Sequence, residues 1–578
     1  MRQQYARRTQ LVMVLISLIS IGIIVQMVRI QTSPAAAILK QRGDEFQTEW
    51  RTFFPDRGEI YDRTGHLLAG NKSAYEIGVN LNIVKDPEAI LAAAASVDLD
   101  LDYAEALDAI QNPPENRTFV VIADYVDQEK GLKLQALKDA DDGRFGDLTG
   151  LEFNLHPMRS YPEKDLASNI IGFVSHGRRG YFGIEEKYDI LLAGAPVQML
   201  VPVDPNLASD IEHVPDGTTL ILTINRDLQA AAEDILDESL DKYGAQNGTI
   251  AIMDPQNGEL LAIASHERMD LNEFWNYGSI FENASDYSRA ISTPYEPGSV
   301  LKILTMAAAL DSGTVTPGTT YLDTGSIMVG GAVIRNWDQG AWGVQDMTGC
   351  LQHSLNVCMA TLSTSMGAGT FYNYMDKFGL GHLTGVDLAG EAAGRLKFPG
   401  DTDWYLVDLG TNSFGQGVAA TPIQIMMAAS AIANDGRTVT PHAVYAMVRD
   451  GRQYNVPAQF AGSPISEQTA DTLSEMLAVS VSSEGSLAQV PGYRLAGKTG
   501  TAQIPVNGFY DDEATNASFI GWGPVDDPKF MIYVWLERPE VSTWGSETAA
   551  PVFAEMAEKT IILLDIPPDN IRQQFAVK

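Results

Sequence analysis

The spacing of apolar positions divides the chain before any single residue is weighed. From Leu11 to Val28 the sequence is apolar almost without a break, Gln26 being its one strongly polar side chain. At 1.5 Å per residue this run covers about 27 Å, close to the hydrocarbon thickness of a bilayer. The pattern therefore predicts a membrane-spanning helix over 11–30. Beyond it the apolar runs are short and periodic. Residues 75–81 and 118–123 read as strands, and 87–95 and 127–137 as helices. A polar stretch bearing Pro and Asp, 201–219, reads as a connection between two soluble regions. After it, Leu228, Ala231, Ile235, Leu236 and Leu240 recur at helical spacing over 224–243, with Asn225 as N-cap and Gly244 as stop. Apolar runs 249–253 and 259–264, joined by Asp254-Pro255-Gln256-Asn257-Gly258, predict a hairpin. A second pair, 517–522 and 530–536, precedes a helix over 549–564. Hairpins at both ends with helices between them predict an α+β domain whose sheet is assembled from distant parts of the chain.

Charge adds topology. The 578 residues hold 74 Asp and Glu against 40 Lys and Arg, a formal charge of −34. Residues 1–30 contain four Arg and no acid, and the first acidic residue is Asp44. The remainder thus carries 36 basic against 74 acidic residues, or −38. Arginines before the apolar run and acids after it predict an N-terminus inside and an exported remainder. A cleaved signal peptide is the rival reading, with Ala35-Ala36-Ala37 as its cleavage region, but the apolar run exceeds the 7–15 residues of a signal core. A chain this acidic, without a compact basic stripe, disfavours nucleic-acid binding. Two cysteines and eight scattered histidines provide neither a disulfide scaffold nor zinc-ligand spacing, so no metal is expected.

The chemistry concentrates in three short segments. In Thr293–Leu310, Pro297-Gly298 stops the preceding chain and 300–310 reads as a mostly buried helix. Ser299 then falls at the helix N-terminus, with Lys302 three residues on, over the same face. A lysine held in apolar surroundings can act as the base that a serine nucleophile needs, and helix N-terminal amides suit the oxyanion formed on attack. Alone, SxxK is a weak signal that reads more readily as a helix cap with a snorkelling lysine. Ser354-Leu355-Asn356 and Lys498-Thr499-Gly500-Thr501 follow in order, 55 and 199 residues after Ser299. Ser354 offers a hydroxyl to relay a proton and Asn356 an amide to orient a peptide bond. The Lys498–Thr501 segment supplies a cation, two hydroxyls and close backbone approach at Gly500, which suits a carboxylate.

With all three motifs in order, the chain resembles the class B penicillin-binding proteins, the bitopic, monofunctional D,D-transpeptidases of bacterial wall synthesis. Segments 57–69, 159–174 and 180–194 are similar to motifs of that family's first soluble region, and 413–436 and 518–530 to its transpeptidase domain. The resemblance implies a cytoplasmic tail at 1–10, an anchor at 11–30, and a mixed α/β pedestal of the penicillin-binding protein dimerisation type at 31–200. A linker at 201–219 and a transpeptidase domain at 220–578, an antiparallel sheet flanked by helices as in serine β-lactamases, would follow. Ser299 would attack the penultimate D-Ala of a stem pentapeptide ending in D-Ala-D-Ala, with Lys302 as general base. Ser354 would help protonate the leaving amine and Lys498 would keep the local field positive. Asn356 would hold the acyl amide, Thr499 and Thr501 the terminal carboxylate beside Gly500, and the backbone N–H groups of Ser299 and Thr501 the oxyanion. A second stem then takes the acyl group, and β-lactams acylate Ser299. No cofactor is implied. The expected partners are a SEDS-type glycosyltransferase and other divisome or elongasome membrane proteins, since no glycosyltransferase motif is present. Thr in the Lys498 motif, with Gly492-Tyr493-Arg494 before it, leans towards the division type. The alternatives are a serine hydrolase of the same fold (β-lactamase or D,D-carboxypeptidase) and a non-catalytic β-lactam sensor or scaffold.

Three details flank the motif. Leu355 stands where family members often carry a small or acidic residue. Cys350 and Cys358, if on one helix, are separated by about 12 Å, beyond the about 7 Å that a disulfide allows, and are expected as buried free thiols. His353 is adjacent to Ser354, but helix neighbours do not face each other, so it is not expected to act as the base.

Overall fold

The computed structural model describes residues 2–36, 38, 48–99, 101–114, 117–140, 143–202, 214–281, 287–506 and 509–576. It divides into two compact units. One, Met1–Asp56 with Gly194–Asp216, contains the helix Arg2–Gln31 and an antiparallel pair, Thr48–Phe53 with Val197–Pro202. Within that helix Thr9–Gln31 is long and apolar enough to cross a membrane, and none of it is buried by protein. Of the connection expected over 201–219, residues 203–213 lie outside the described residues.

The second unit, Arg57–Ala193 with Gly217–Lys578, holds the site. Its larger sheet runs in the order Arg452–Asn455, Val444–Arg449, Thr219–Leu222, Ile60–Tyr61, Leu67–Asn80, Phe119–Asp127, with Leu151–Ser160 also paired to Leu67–Asn80. Strands from both sequence regions thus share one sheet, joined where Ile60–Tyr61 pairs parallel to 220–221. Helices Pro87–Ser96 and Gln128–Ala140 appear where the periodicity predicts them, the first capped by the Asp86 carboxylate accepting from Ala89 N–H. Three of the quoted motifs meet at one buried carboxylate. Glu185, fully buried, accepts from Arg57 Nε and from Arg159 Nε, each at 2.7 Å. Arg57 Nη2 lies between this carboxylate, at 2.7 Å, and that of Asp189, at 2.8 Å.

The second sheet is five-stranded and antiparallel throughout, in the order Leu260–Ser265, Asn247–Met253, Phe530–Glu537, Phe509–Gly523, Ala496–Val506. Both faces are covered, which is why its strands read as continuous apolar runs. On Phe530–Glu537 the side chains of Phe530, Ile532, Val534 and Leu536 pack with helices Arg226–Tyr243 and Ala549–Leu563. Met531, Tyr533 and Trp535 join the core on the other face with Ile303, Met426 and their neighbours. Burial of each such side chain contributes about 1.5–3 kcal/mol. Asn225 caps the first of these helices by accepting from the N–H groups of Asp227 and Leu228, and Gly244 ends it in the left-handed conformation at φ 64°. Such a cap is worth about 1 kcal/mol. Asn247–Met253 and Leu260–Ser265 form the expected hairpin, and the sheet does join the two ends of this region.

Candidate active site

The site is assembled at the free edge of the five-stranded sheet. Gly298 takes φ +60° and opens a short 3₁₀ turn, Gly298–Leu301, that carries Ser299 and continues directly into the helix Lys302–Asp311. A Cβ at Gly298 would meet both Ala502 Cβ and the Thr501 carbonyl oxygen at 2.9 Å. Glycine therefore lets the serine turn rest on the edge strand.

Lys302 is fully buried in its helix. Its Nζ donates to the Ser354 carbonyl at 2.6 Å, to Asn356 Oδ1 at 2.7 Å and to Ser354 Oγ at 3.1 Å. The base candidate is thus held by the second motif. Burial, reinforced by the nearby Lys498 charge, pushes the Lys302 amine well below the usual lysine range. Lys498, on the edge strand, is also buried, and desolvation lowers it to about 7. Its Nζ donates to Thr499 Oγ1 at 3.1 Å. Two amines with weakened hold on their protons thus line one site, the condition for proton traffic near neutral pH.

The second motif lies on a sharp reversal. Helix Met347–Gln352 ends, Ser354 adopts φ 54°, and a new helix begins at Asn356. The expectation of free thiols at Cys350 and Cys358 is therefore corrected. They do not share a helix, their Cα atoms lie 6.1 Å apart, and they form a disulfide that brackets Ser354 and Asn356. The reversal also changes the reason for setting His353 aside: its ring stacks on Trp342 at 4.2 Å between centroids. Leu355 is fully buried in the core, which explains an apolar residue in the middle of the motif. Asn356 has its amide oriented at both ends, because Nδ2 donates to the Arg335 carbonyl at 3.1 Å.

On the edge strand Gly500 lies opposite Ser518, and a Cβ at Gly500 would come 2.2 Å from Ser518 Oγ. Thr501 Oγ1 accepts from Gly545 N–H at 3.0 Å, tying the loop before helix Ala549–Leu563 to the strand. Ser299, Ser354, Asn356, Thr499 and Thr501 all line one cleft of about 830 Å³. Lys302 and Lys498 lie beneath it, so the residues singled out from the sequence are brought together. No hydrogen bond joins Ser299 to Lys302 among the described contacts; the lysine is instead bound to the motif across the cleft.

Two functional candidates escape the sequence reading. Trp337 and Trp544 meet edge to face across the cleft, centroids 5.2 Å apart, and both line it. Trp337 Nε1 donates to the His353 carbonyl at 3.1 Å. For Trp337 the available signal is a second tryptophan, Trp342, in the same short loop between Ala332–Arg335 and Gly343–Asp346.

Comparison with known proteins shows which families the chain resembles. Residues 248–558 match the penicillin binding protein transpeptidase domain, and 52–206 the penicillin-binding protein dimerisation domain. The chain is 32% identical to stage V sporulation protein D of Bacillus subtilis, covering 89% of this chain and 79% of that protein. It is 31% identical to penicillin-binding protein PbpB of Mycolicibacterium smegmatis, covering 86% and 74%. The crystal structure of penicillin binding protein 3 from Mycobacterium tuberculosis, complexed with aztreonam, superposes with a TM-score of 0.69 at 26% identity, covering 90% of this chain and 98% of that one. A transpeptidase fold behind a dimerisation-type region and an apolar N-terminal helix leaves one assignment: the chain belongs to the class B penicillin-binding proteins and is a peptidoglycan transpeptidase.

Proposed function

We propose that the chain cross-links stem peptides through a serine acyl-enzyme. Ser299 Oγ attacks the carbonyl of the penultimate D-Ala while Lys302 Nζ takes its proton. The bond from Ser299 Oγ to that carbon forms, the D-Ala-D-Ala amide breaks, and the leaving amine receives a proton through Ser354. The amine of a second stem then displaces Ser299 and forms the cross-link. Lys498 supplies positive potential, Thr499 and Thr501 hold the terminal carboxylate beside Gly500, and Asn356 the acyl amide. The N–H groups of Ser299 and Thr501 stabilise the oxyanion. The observation that carries this reading is the buried Lys302 amine, depressed in proton affinity and bonded to both Ser354 and Asn356 one turn from Ser299.

β-Lactams acylate the same serine. Labelling with a fluorescent penicillin is expected to give a covalent band that survives denaturation and is absent in Ser299→Ala. A band persisting in that variant overturns the site, and rapid release of label favours a hydrolase instead.

The same reading places residues 1–10 in the cytoplasm and 11–30 in the membrane. It assigns 31–200 to a non-catalytic pedestal, 201–219 to a linker and 220–578 to an extracytoplasmic transpeptidase. Protease added outside intact cells should remove the transpeptidase domain; protection would reverse the orientation. A SEDS-type glycosyltransferase supplies the glycan strands, a pairing that failure to co-purify from membranes would count against. Thr499 within its motif and the preceding Gly492-Tyr493-Arg494 favour division over elongation. Depletion should then give filaments, and rounded cells would contradict it.

A further inference from the structure

Arg335 is a charged group in the cleft wall with no role in the chemistry above. It ends the strand Ala332–Arg335, where Ile334 turns into the core and Arg335 stays exposed, lining the cleft. Its backbone is firmly held. The carbonyl accepts from Asn356 Nδ2. The next residue, Asn336, donates to Asp323 at 2.8 Å and accepts from Val357 N–H at 3.1 Å. Its guanidinium, by contrast, has no hydrogen-bond or ion-pair partner among the described residues. The other charged groups of the cleft are engaged. Glu547 accepts from Ser542 Oγ at 2.6 Å, Lys302 donates across the cleft to Asn356, and Lys498 donates to Thr499. A rigid base with a free planar cation is what a carboxylate ligand requires.

The position sets which carboxylate. On the proposed reading, on which this inference rests, Asn356 holds the amide that joins the reacting D-Ala to the preceding stem residue. Arg335 is hydrogen-bonded to Asn356 through its own backbone, so the substituents of that preceding residue leave the amide on its side. The exported part of the chain is strongly acidic, at −38, and repels an anionic donor unless a local cation receives it. We propose that Arg335 is a specificity-determining residue that binds a carboxylate on the acyl donor, next to the amide held by Asn356.

Two penicillins isolate this contact. Benzylpenicillin and its analogue carrying a carboxylate on the carbon beside the side-chain amide (carbenicillin) differ only there. The measured quantity is the ratio of their second-order acylation constants at Ser299 on the full chain. Arg335→Gln is expected to lower the ratio of carboxylated to plain penicillin about tenfold, the size of one hydrogen-bonded charge contact. Arg335→Lys, which keeps the charge without the fork, should restore part of it. A general disturbance of the cleft would slow both penicillins alike and leave the ratio unchanged. An unchanged ratio in Arg335→Gln overturns the inference while leaving the proposed function standing. Failure of the wild type to be acylated by either penicillin overturns both.

Discussion

The Lys302 amine donates to the Ser354 carbonyl at 2.6 Å, and that carbonyl is presented to it by a serine in the left-handed conformation. The base candidate and the reversal between two helices are therefore one unit. Lys302→Met keeps the apolar stem and removes the amine. Acylation of Ser299 should fall by about 10²–10⁴, and some loss of melting temperature should accompany it, because the Ser354 carbonyl and Asn356 Oδ1 lose their common donor. The wild-type acylation rate should rise with pH as Lys302 loses its proton, with a midpoint below the usual lysine value. The variant should lack that rise; a variant with the wild-type pH profile would remove Lys302 from the chemistry.

Lys498 makes stability depend on pH in a definite direction. Burial lowers its folded pKa to about 7, against 10.5 for the ordinary side chain. Below about 7 both folded and unfolded chains hold the proton, and the folded state bears the full cost of a buried charge. From 7 to 10.5 the folded chain releases the proton while the unfolded chain keeps it, so stability rises with pH through that window. Lys498→Met should melt above the wild type at pH 7, with the gap closing towards pH 10. Differential scanning calorimetry across this range checks the sign, and a gap that widens with pH would contradict it.

The Cys350–Cys358 bridge closes a short loop around the second motif. In the chain-entropy account a loop of this size contributes about 2–3 kcal/mol. Replacing both cysteines by serine should lower the melting temperature by about 2–3 °C. It should also slow Ser299 acylation, because Ser354 and Asn356 lose their brace. Unaltered acylation in the double variant would reduce the bridge to a purely structural staple.

Gly500 admits no side chain in the present packing, since a Cβ would come 2.2 Å from Ser518 Oγ and 2.9 Å from Val300 Cγ1. Gly500→Ala should reduce acylation by at least about tenfold, displacing the strand from the serine turn. Adding Ser518→Ala removes the closest of the clashing atoms and should recover part of the loss. Strict additivity in the double variant would mean that the two positions do not couple.

Much of this was legible in the sequence, for reasons that differ by element. Asn225, the apolar stripe after it and Gly244 mark a helix by purely local chemistry, and the helix Arg226–Tyr243 lies where they predict. Ser299 and Lys302 belong to one turn, so their juxtaposition is also local. The bond from Lys302 to Asn356 is not, because nothing in either segment encodes which distant backbone it will meet. The disulfide was misread for a related reason. Placing both cysteines on one helix left out the single left-handed residue, Ser354, that separates helix Met347–Gln352 from helix Asn356–Lys377. Trp337 and Trp544 come together only through the tertiary fold, from loops that carry no periodic signal.

The parallel pairing of Ile60–Tyr61 with 220–221 bears on how the molecule can be taken apart. A catalytic fragment begun at residue 217 keeps the five-stranded sheet but strips Thr219–Leu222 of its neighbour, leaving an unpaired hydrogen-bonding edge beside Val444–Arg449. Such an edge is a template for pairing with other chains. The first soluble region therefore covers that edge, and a fragment lacking it is expected to need a replacement strand to remain monomeric.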